Sequence, residues 1–443
     1  MSVSVLVICA EPIGERMAGP AIRAVEIARA LEARHEVTLM APAFEDLDAL
    51  IDAAGEHDVL VAQELPPTLT TRLARLPVRV VLDLYNPIVM EVLEAVVDER
   101  PRVQRRIQEL IGLRALAQCA VADFIVCASE RQRDMWLGAM AVHGLIDPDA
   151  YRRDPALRSL IDVVPFGLPD EPPPGPSGEP VLKGAWPGIA ADDRVLLWAG
   201  GIWGWLDPGV AIEAVKLLEG AAGPATHLVF LGTGRPWLDR TGQAAYPDQA
   251  RELARREGLA DRLVHFKEGW VPYAERGRWL AEADLGVSAH LDSLEARFSF
   301  RTRILDYLWA GLPVVTSSGD VLGDLVERER VGRAVPPGDA EAFAAACAEL
   351  LDDGAARTEA RERIEALVPS LRWSEVTRPL VNWCERATEV PPRRVNRGVL
   401  RRALIGQYAR TVPETARTKG PGAALRQVGR RVRRAFSPRS RGR

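Results

Sequence analysis

The chain has 443 residues, 47% hydrophobic and 27% charged, a balance that suits a globular protein of two domains or more. Its formal charge of −4 conceals two unlike parts: residues 391–443 hold fifteen arginines and one lysine against a single acid, Glu414, and carry +15, while the rest carries −19. No apolar run approaches the ~20 residues of a membrane helix, and five cysteines without a CxxC pair or metal-ligand spacing argue against a disulfide framework and against a zinc site.

In chain order, "VSVLVIC" reads as a first strand and not as a signal peptide, because no basic segment precedes it. "AIRAVEIARALEAR" is an amphipathic helix and "EVTLMAP" the next strand. "DVLVAQE", "VRVVLDLY" and "DFIVCAS" follow as short apolar runs separated by helical pattern. This βαβα order implies a parallel sheet covered on both faces. "LPDEPPPGPSGEP" is the sharpest break in composition and predicts an exposed linker. The alternation then restarts with "RVLLWAGG", "THLVFLGTG", "RLVHFKE", "DLGVSAH" and "LPVV" as strands. "LRWSEVTRPLVNWCERA" predicts one last amphipathic helix.

The predicted architecture is α/β: two tandem doubly wound, Rossmann-like domains with an interdomain cleft and a basic C-terminal tail. The boundaries fall at 1–167 for the N-terminal domain, 168–193 for the linker, 194–370 for the C-terminal domain, 371–390 for a crossover helix and 391–443 for the tail. In the tail, "GVLRRALIGQYAR" and "ALRQVGRRVRRAF" can each form a basic amphipathic helix of the kind that lies on anionic lipid. An acidic body argues against a nucleic-acid partner. The expected location is cytoplasmic, with peripheral attachment to the inner face of the plasma membrane.

Ligands of open parallel sheets bind beyond the carboxyl ends of strands. Four strand ends carry a signal. Gly19-Pro20 opens a helix with Arg23 one turn in, near the cleft; the plain alternative is a loop and a surface arginine. Gly200, Gly201 and Gly204 precede a helix capped by Asp207 with Pro208 behind it. Gly232 and Gly234 form a second glycine turn. The fourth is "SFRTRILDYLWAGLPVV", where Arg303, Asp306 and Tyr307 stand at i, i+3 and i+4 as one polar stripe on an otherwise apolar helix, with Arg297 and Arg301 just upstream. Either Arg303 and Asp306 form a structural ion pair, or the stripe faces a bound anion. Asp46-x-Asp48 and Asp147-x-Asp149 match a metal-binding DxD but lie in polar segments away from strong strand ends. GxSxG, HExxH and P-loop patterns are absent.

As a set, these residues resemble the GT-B glycosyltransferases of family 4, the group 1 transferases. "DLGVSAHLDSLEARFSFRTRILDYLWAGLPVV" is similar to that family's strand, acidic-motif helix and A-G-x-P-V-V ending, and "VGRAVPPGDAEAFAAAC" to its G-x-x-x-x-P-G-D segment. "ADFIVCASE", "DVVPFGL" and the helix near Trp373 also resemble family features, so the likeness runs over roughly residues 1–388. It implies a retaining, metal-independent transfer from a nucleotide-sugar, a substrate and not a cofactor, bound by the C-terminal domain, to an acceptor on the N-terminal domain. A lipid-linked acceptor and a role in cell-surface glycan synthesis are expected.

The resemblance places the family's second glutamate at Asp306, to hold ribose hydroxyls, with Gly200, Gly201, Gly232, Gly234 and Arg297 on the donor side. Its first glutamate falls on Phe298, and Glu295 stands three residues away as a substitute. The family's basic residues after the glycine pair are missing, since Ile202 follows Gly201; Arg301 and Arg303 are expected to supply that charge and, with Glu295, the catalytic groups. Gly19 and Arg23 are expected on the acceptor side. So are Asp83, Tyr85 and Asn86, which lie where the family often keeps a histidine. Two further readings remain: a non-catalytic GT-B scaffold that binds a sugar or nucleotide in a glycan-assembly complex, and a GT-B epimerase or phosphorylase, the phosphorylase being marked by a cofactor lysine that no candidate site holds.

Overall fold

The computed structural model describes residues 2–409 and Val428, except 16, 42–45, 98, 174–178, 221–222, 233–244, 270 and 392–394. It divides into two compact units. Unit 1 is Met1–Ile13, Pro20–Pro165 and Thr377–Arg443; unit 2 is Gly14–Gly19 and Phe166–Val376.

Unit 1 runs β1 (Ser4–Ile8), α1 (Gly19–Glu32), β2 (Glu36–Met40), α2 (Leu47–Glu56), β3 (Val59–Ala62), α3 (Pro67–Leu73), β4 (Arg79–Asp83), α4 (Ile88–Ala95), α5 (Pro101–Cys119), β5 (Phe124–Cys127), α6 (Glu130–Val142), α7 (Pro148–Arg153) and β6 (Ile161–Val163). The strands pair in the order β2-β1-β3-β4-β5-β6, and every pair is parallel. β3 (VLVA) and β5 (FIVC) are buried at every position, as a sheet covered on both faces requires. β2 lies to one side of β1 and β3 to the other. The connections therefore diverge between β1 and β3, which opens a crevice at the carboxyl ends of those two strands.

Unit 2 runs β7 (Arg194–Ala199), α8 (Pro208–Leu218), β8 (Thr226–Leu231), α9 (Ala245–Arg256), β9 (Val264–Lys267), α10 (Arg276–Ala281), β10 (Leu285–Ser288), α11 (Thr302–Trp309), β11 (Val314–Ser317), α12 (Val321–Glu329), β12 (Gly332–Val335), α13 (Ala340–Asp352), α14 (Gly354–Leu367) and α15 (Trp373–Val376). Its order is β12-β11-β10-β7-β8-β9, again parallel throughout. Here the connections diverge between β7 and β10, so the loops after these strands flank the second crevice.

Within the Pro- and Gly-rich stretch Leu168–Pro180, Asp170, Glu171, Pro172, Glu179 and Pro180 are exposed, but the described part of the expected linker 168–193 belongs to unit 2. Leu168, Leu182 and Ile189 are buried. The Glu282 carboxylate accepts from the amides of Val181, Leu182 and Lys183 at 2.8, 2.8 and 3.0 Å, which takes backbone donors that a loose linker would leave to water. The helix expected over 371–390 is broken at Thr377. α15 stays with unit 2, and α16 (Arg378–Cys384) returns to unit 1, where Trp383 stacks on Phe124 at 5.0 Å.

The last described helix, α17 (Arg397–Ala409), packs on α5 and α3 of unit 1. Val399, Leu400, Ala403 and Leu404 are each at most 2% exposed. This corrects the sequence reading of "GVLRRALIGQYAR" as a helix that lies on lipid: its apolar stripe is spent on the protein core. The second tail segment, "ALRQVGRRVRRAF", lies outside the described residues apart from Val428. Among the described residues no helix is long and apolar enough to cross a membrane.

Candidate functional site

In unit 2 the polar stripe of α11 separates into three roles. Tyr307 turns into the sheet: its hydroxyl donates to the Val287 carbonyl at 2.8 Å and accepts from the Ala199 amide at 2.9 Å, tying the ends of β10 and β7 together. Burial pushes its hydroxyl pKa well above the ordinary value. Arg303 reaches the glycine loop after β7. Its Nη2 donates to the Gly201 carbonyl at 2.8 Å, and its guanidinium lies 4.7 Å from the Trp198 ring centroid. Burial pulls its pKa down to about 10, and Nη1 is buried without a hydrogen-bond partner. A buried guanidinium N–H without an acceptor is costly, and a ligand oxygen would relieve it.

Asp306 pairs with neither Arg303 nor Arg301. Its Oδ1 accepts from Arg276 Nε at 2.9 Å, and Asp306 keeps about a third of its side chain exposed. Arg276, the first residue of α10, also donates from Nη1 to the Tyr273 carbonyl at 2.7 Å. It lies between the rings of Tyr273 and Trp309, at 3.6 and 4.4 Å from their centroids. Its Nη2 is buried without a hydrogen-bond partner. Arg276 was not among the candidates read from the sequence, because it stands thirty residues before its partner.

Arg301 and Glu295 are closed on each other. Arg301 Nη2 donates to Glu295 Oε2 at 2.6 Å, with side chains 7% and 1% exposed. Asp320, the N-cap of α12, lies 3.7 Å from Arg301 Nε and 3.8 Å from His290 Nε2. Burial raises the carboxyl pKa of both Glu295 and Asp320 against the pull of Arg301. Two buried carboxylates face Arg301, and its Nε remains buried without a hydrogen-bond partner. Arg297 is exposed on the turn Ala296–Phe298.

The Gly200–Asp207 loop lies beside the segment after β10: Leu206 bridges to His290, and Asp207 N donates to the Ala289 carbonyl at 3.0 Å. Gly200 has φ +107°, which only glycine adopts without strain. A Cβ on Gly201 would meet the Trp203 ring at 2.8 Å, so the glycine lets the indole lie flat on the loop. Gly232 follows β8 with φ +97°; Gly234 lies outside the described residues.

In unit 1, Arg23 is fully buried, which overturns both the surface-arginine and the ligand-facing readings. It binds Asp83 in bidentate fashion at 2.6 and 2.7 Å and donates to the carbonyls of Val164 and Pro165 at 2.8 and 2.9 Å. Asp83 is thus a structural partner of Arg23, and Tyr85 packs under the same guanidinium at 4.8 Å. Gly19 is the first residue of α1. A cavity of about 190 Å³ opens at the β1/β3 crevice, and Pro20, Asp83, Tyr85 and the exposed Asn86 line it. The sequence missed its other wall, supplied by Ile111, Arg114 and Gln118 of α5. Asp46 and Asp147 of the two DxD matches cap α2 and α7. Among the described residues no group of three His, Cys, Asp or Glu is arranged to hold a metal ion.

Residues 193–353 match the family model described as Glycosyl transferases group 1. The solved structure of sucrose-phosphate synthase from Thermosynechococcus elongatus superposes with TM-score 0.56 and 16% identity, over 87% of this chain and 99% of that one. The chain has the GT-B fold. Anabaena HepE in complex with UDP-glucose shares this GT-B architecture at TM-score 0.58 and 15% identity, over 88% and 100% of the two chains. WaaG, a glycosyltransferase involved in lipopolysaccharide biosynthesis, matches at TM-score 0.54 and 15% identity, over 86% and 98%. No curated protein matches the chain in sequence. In GT-B terms the group 1 match covers the β7–α13 core of unit 2, where Arg303, Asp306 and Arg276 converge.

Proposed function

We propose that this protein is a glycosyltransferase that moves a sugar from a nucleotide-sugar held by unit 2 to an acceptor held by unit 1. The observation that carries the reading is two guanidinium groups of unit 2: Arg303 at the glycine loop after β7, and Arg276 against Asp306 of α11. Arg303 and Arg276 are each fixed by other bonds, and each holds one buried N–H donor without a partner. In transfer, the bond from the anomeric carbon to the diphosphate oxygen breaks. A bond to an acceptor hydroxyl oxygen forms, and the hydroxyl proton leaves with the departing diphosphate. Negative charge grows on that diphosphate, and preorganised cationic donors stabilise it without reorganising. Asp306, partly exposed beside Arg276, is suited to accept from ribose hydroxyls. The resemblance to family 4 supports transfer with retained configuration and without a metal ion. It also supports hexosyl transfer in cell-surface glycan or lipid-linked saccharide synthesis, with peripheral attachment to an anionic membrane.

A second reading is a non-catalytic GT-B scaffold. The closure of Arg301 on Glu295 favours it, since two expected catalytic groups are then engaged. Turnover decides between them. UDP-glucose, the ligand of the HepE structure, is the first donor to test, followed by ADP- and GDP-sugars. Release of nucleoside diphosphate that rises with acceptor and persists in chelator supports the enzyme. Nucleotide binding without turnover of any donor supports the scaffold.

A further inference from the structure

We propose that Asp320 and Glu295 are positioning residues for the donor: the two carboxylates grip Arg301 and so set the first turn of α11, where Arg303 stands; this rests on the glycosyltransferase reading and deepens its donor half. Arg301 is the N-cap residue of α11, yet its side chain makes no capping bond. Its guanidinium turns into a buried cluster instead. Nη2 donates to Glu295 Oε2 at 2.6 Å, and Nε lies 3.7 Å from Asp320 Oδ2. His290 Nε2 lies 3.8 Å from the same oxygen. None of these four side chains is more than 7% exposed. Asp320 divides its oxygens between two tasks. Oδ1 accepts from the Gly323 amide and caps α12, which is all that the helix requires. Oδ2 has no hydrogen-bond donor among the described residues and faces Arg301 and His290. Capping therefore leaves the second oxygen unexplained. A buried ion pair adds little net stability, and its best use is to fix one arrangement of the elements that carry it.

The cluster closes a ring through the loops of the donor site. His290 N donates to Ser317 Oγ at 3.2 Å, at the end of β11 and three residues before Asp320. Leu206 bridges to His290, which fastens the Gly200–Asp207 loop to the segment after β10. Arg303, two residues beyond Arg301, reaches back to the Gly201 carbonyl of that loop at 2.8 Å. The glycine loop, the segment after β10, the cap of α12 and the first turn of α11 are thus tied in sequence. The buried Nη1 of Arg303, which has no partner, stands on this ring. Holding a donor group in place before the ligand arrives reduces the ordering cost of binding. Releasing Arg301 frees the first turn of α11, and Arg303 with it. Asp306 keeps its own anchor, the 2.9 Å bond to Arg276, so the nucleoside side of the site is left in place.

The test is isothermal titration of the full chain with UDP, ADP and GDP and with the matching nucleosides. The parent should bind at least one diphosphate. Asp320→Asn and Asp320→Ser keep a capping oxygen and remove the charge. Each should bind that diphosphate about tenfold more weakly, and the nucleoside nearly as the parent does. Glu295→Gln should behave alike, and it carries the same test where the Asp320 variants do not fold; circular dichroism and melting temperature establish that each variant is folded during titration. In an Arg303→Ala background, Asp320→Asn should cost the diphosphate no more than about twofold further, since Asp320 acts through Arg303. Equal losses for diphosphate and nucleoside, or a fully additive loss in the Arg303→Ala background, would overturn the proposal. So would tighter binding by Glu295→Gln, which would make Arg301 a phosphate ligand that the carboxylate holds back. A parent that binds none of the three diphosphates overturns the donor reading itself; a parent that binds one, with folded variants unchanged, overturns this proposal alone.

Discussion

Arg276 Nε donates to Asp306 Oδ1 at 2.9 Å, and this bond joins the first residue of α10 to the middle of α11. It sets Asp306 beside a guanidinium held between two aromatic rings. Asp306→Ala should weaken nucleotide-sugar binding or turnover by about 10- to 100-fold, the range for lost hydrogen bonds to a charged group. Arg276→Ala should do the same, and the double variant should lose less than the sum of the two single ones, because this bond makes each residue position the other. Isothermal titration with UDP on the three variants checks it; fully additive losses would mean that the residues act independently.

Arg303 should separate phosphate from nucleoside recognition. Its guanidinium is tied to the Gly201 carbonyl and presents a buried N–H donor. Arg303→Ala should cost a nucleoside diphosphate about tenfold or more in affinity, while uridine loses much less. Arg303→Lys should not rescue, because an ammonium does not reproduce the planar fork that reaches Gly201 and a ligand together. Equal losses for UDP and uridine would assign Arg303 to the fold alone.

The sequence showed the architecture and hid the pairings. Both βαβ series and the strands "FIVC" and "VLVA" are legible because a strand buried on both faces must be continuously apolar. The arginine-rich start of α11 was equally visible. The partner of each arginine was not, because helical spacing reports only neighbours on the same helix. Asp306 pairs with a residue thirty positions earlier, and Arg23 with one sixty positions later. The burial of α17 was hidden for a related reason: an amphipathic stripe announces that something covers it, and the sequence does not say whether lipid or α5 does so.

The Arg23–Asp83 pair should govern stability and not acceptor chemistry. Both side chains are fully buried. Removing one partner leaves a buried charge, so Arg23→Met or Asp83→Asn should destabilise unit 1 by about 3–5 kcal/mol. Replacing both with apolar residues should cost less than either single change. Denaturant unfolding of the three variants checks this, and a double variant that loses the sum of the singles would refute it.

Acid should weaken unit 2 through His265. Its Nε2 lies 3.0 Å from His227 Nδ1, and His227 Nε2 lies 3.1 Å from Asp193 Oδ2. Burial lowers the His265 pKa from 6.5 to about 4, with the neighbouring imidazole adding to the effect. At pH 7 the ring is neutral in both folded and unfolded states. Below about 6.5 the unfolded chain takes up the proton first, so stability falls until about pH 4, where the folded state is protonated too. The shift corresponds to about 3 kcal/mol over that window. Glu295 and Asp320, whose folded pKa values are raised, act in the opposite direction as pH falls, so the test is a difference. His265→Gln should flatten the loss of melting temperature between pH 6.5 and 4 relative to the parent; identical slopes would rule the residue out.

The tail should divide at Ala409. Up to that residue, α17 buries Val399, Leu400, Ala403 and Leu404 against unit 1, burial that contributes about 5 kcal/mol before the entropy of ordering the helix. A chain ending at Val390 should therefore lose stability in unit 1. Residues 410–443 carry ten arginines and one lysine against Glu414, a charge of +10. Each basic group near an anionic bilayer contributes about 1 kcal/mol, less at high salt. The full chain should sediment with anionic vesicles in a salt-sensitive way and ignore neutral ones. A chain ending at Ala409 should fold and melt like the parent yet stay in the supernatant. If it binds vesicles as well as the full chain, the exposed arginines of α5 and α17, and not the last thirty-four residues, carry the contact; if the full chain fails to bind, the basic segment has no membrane partner.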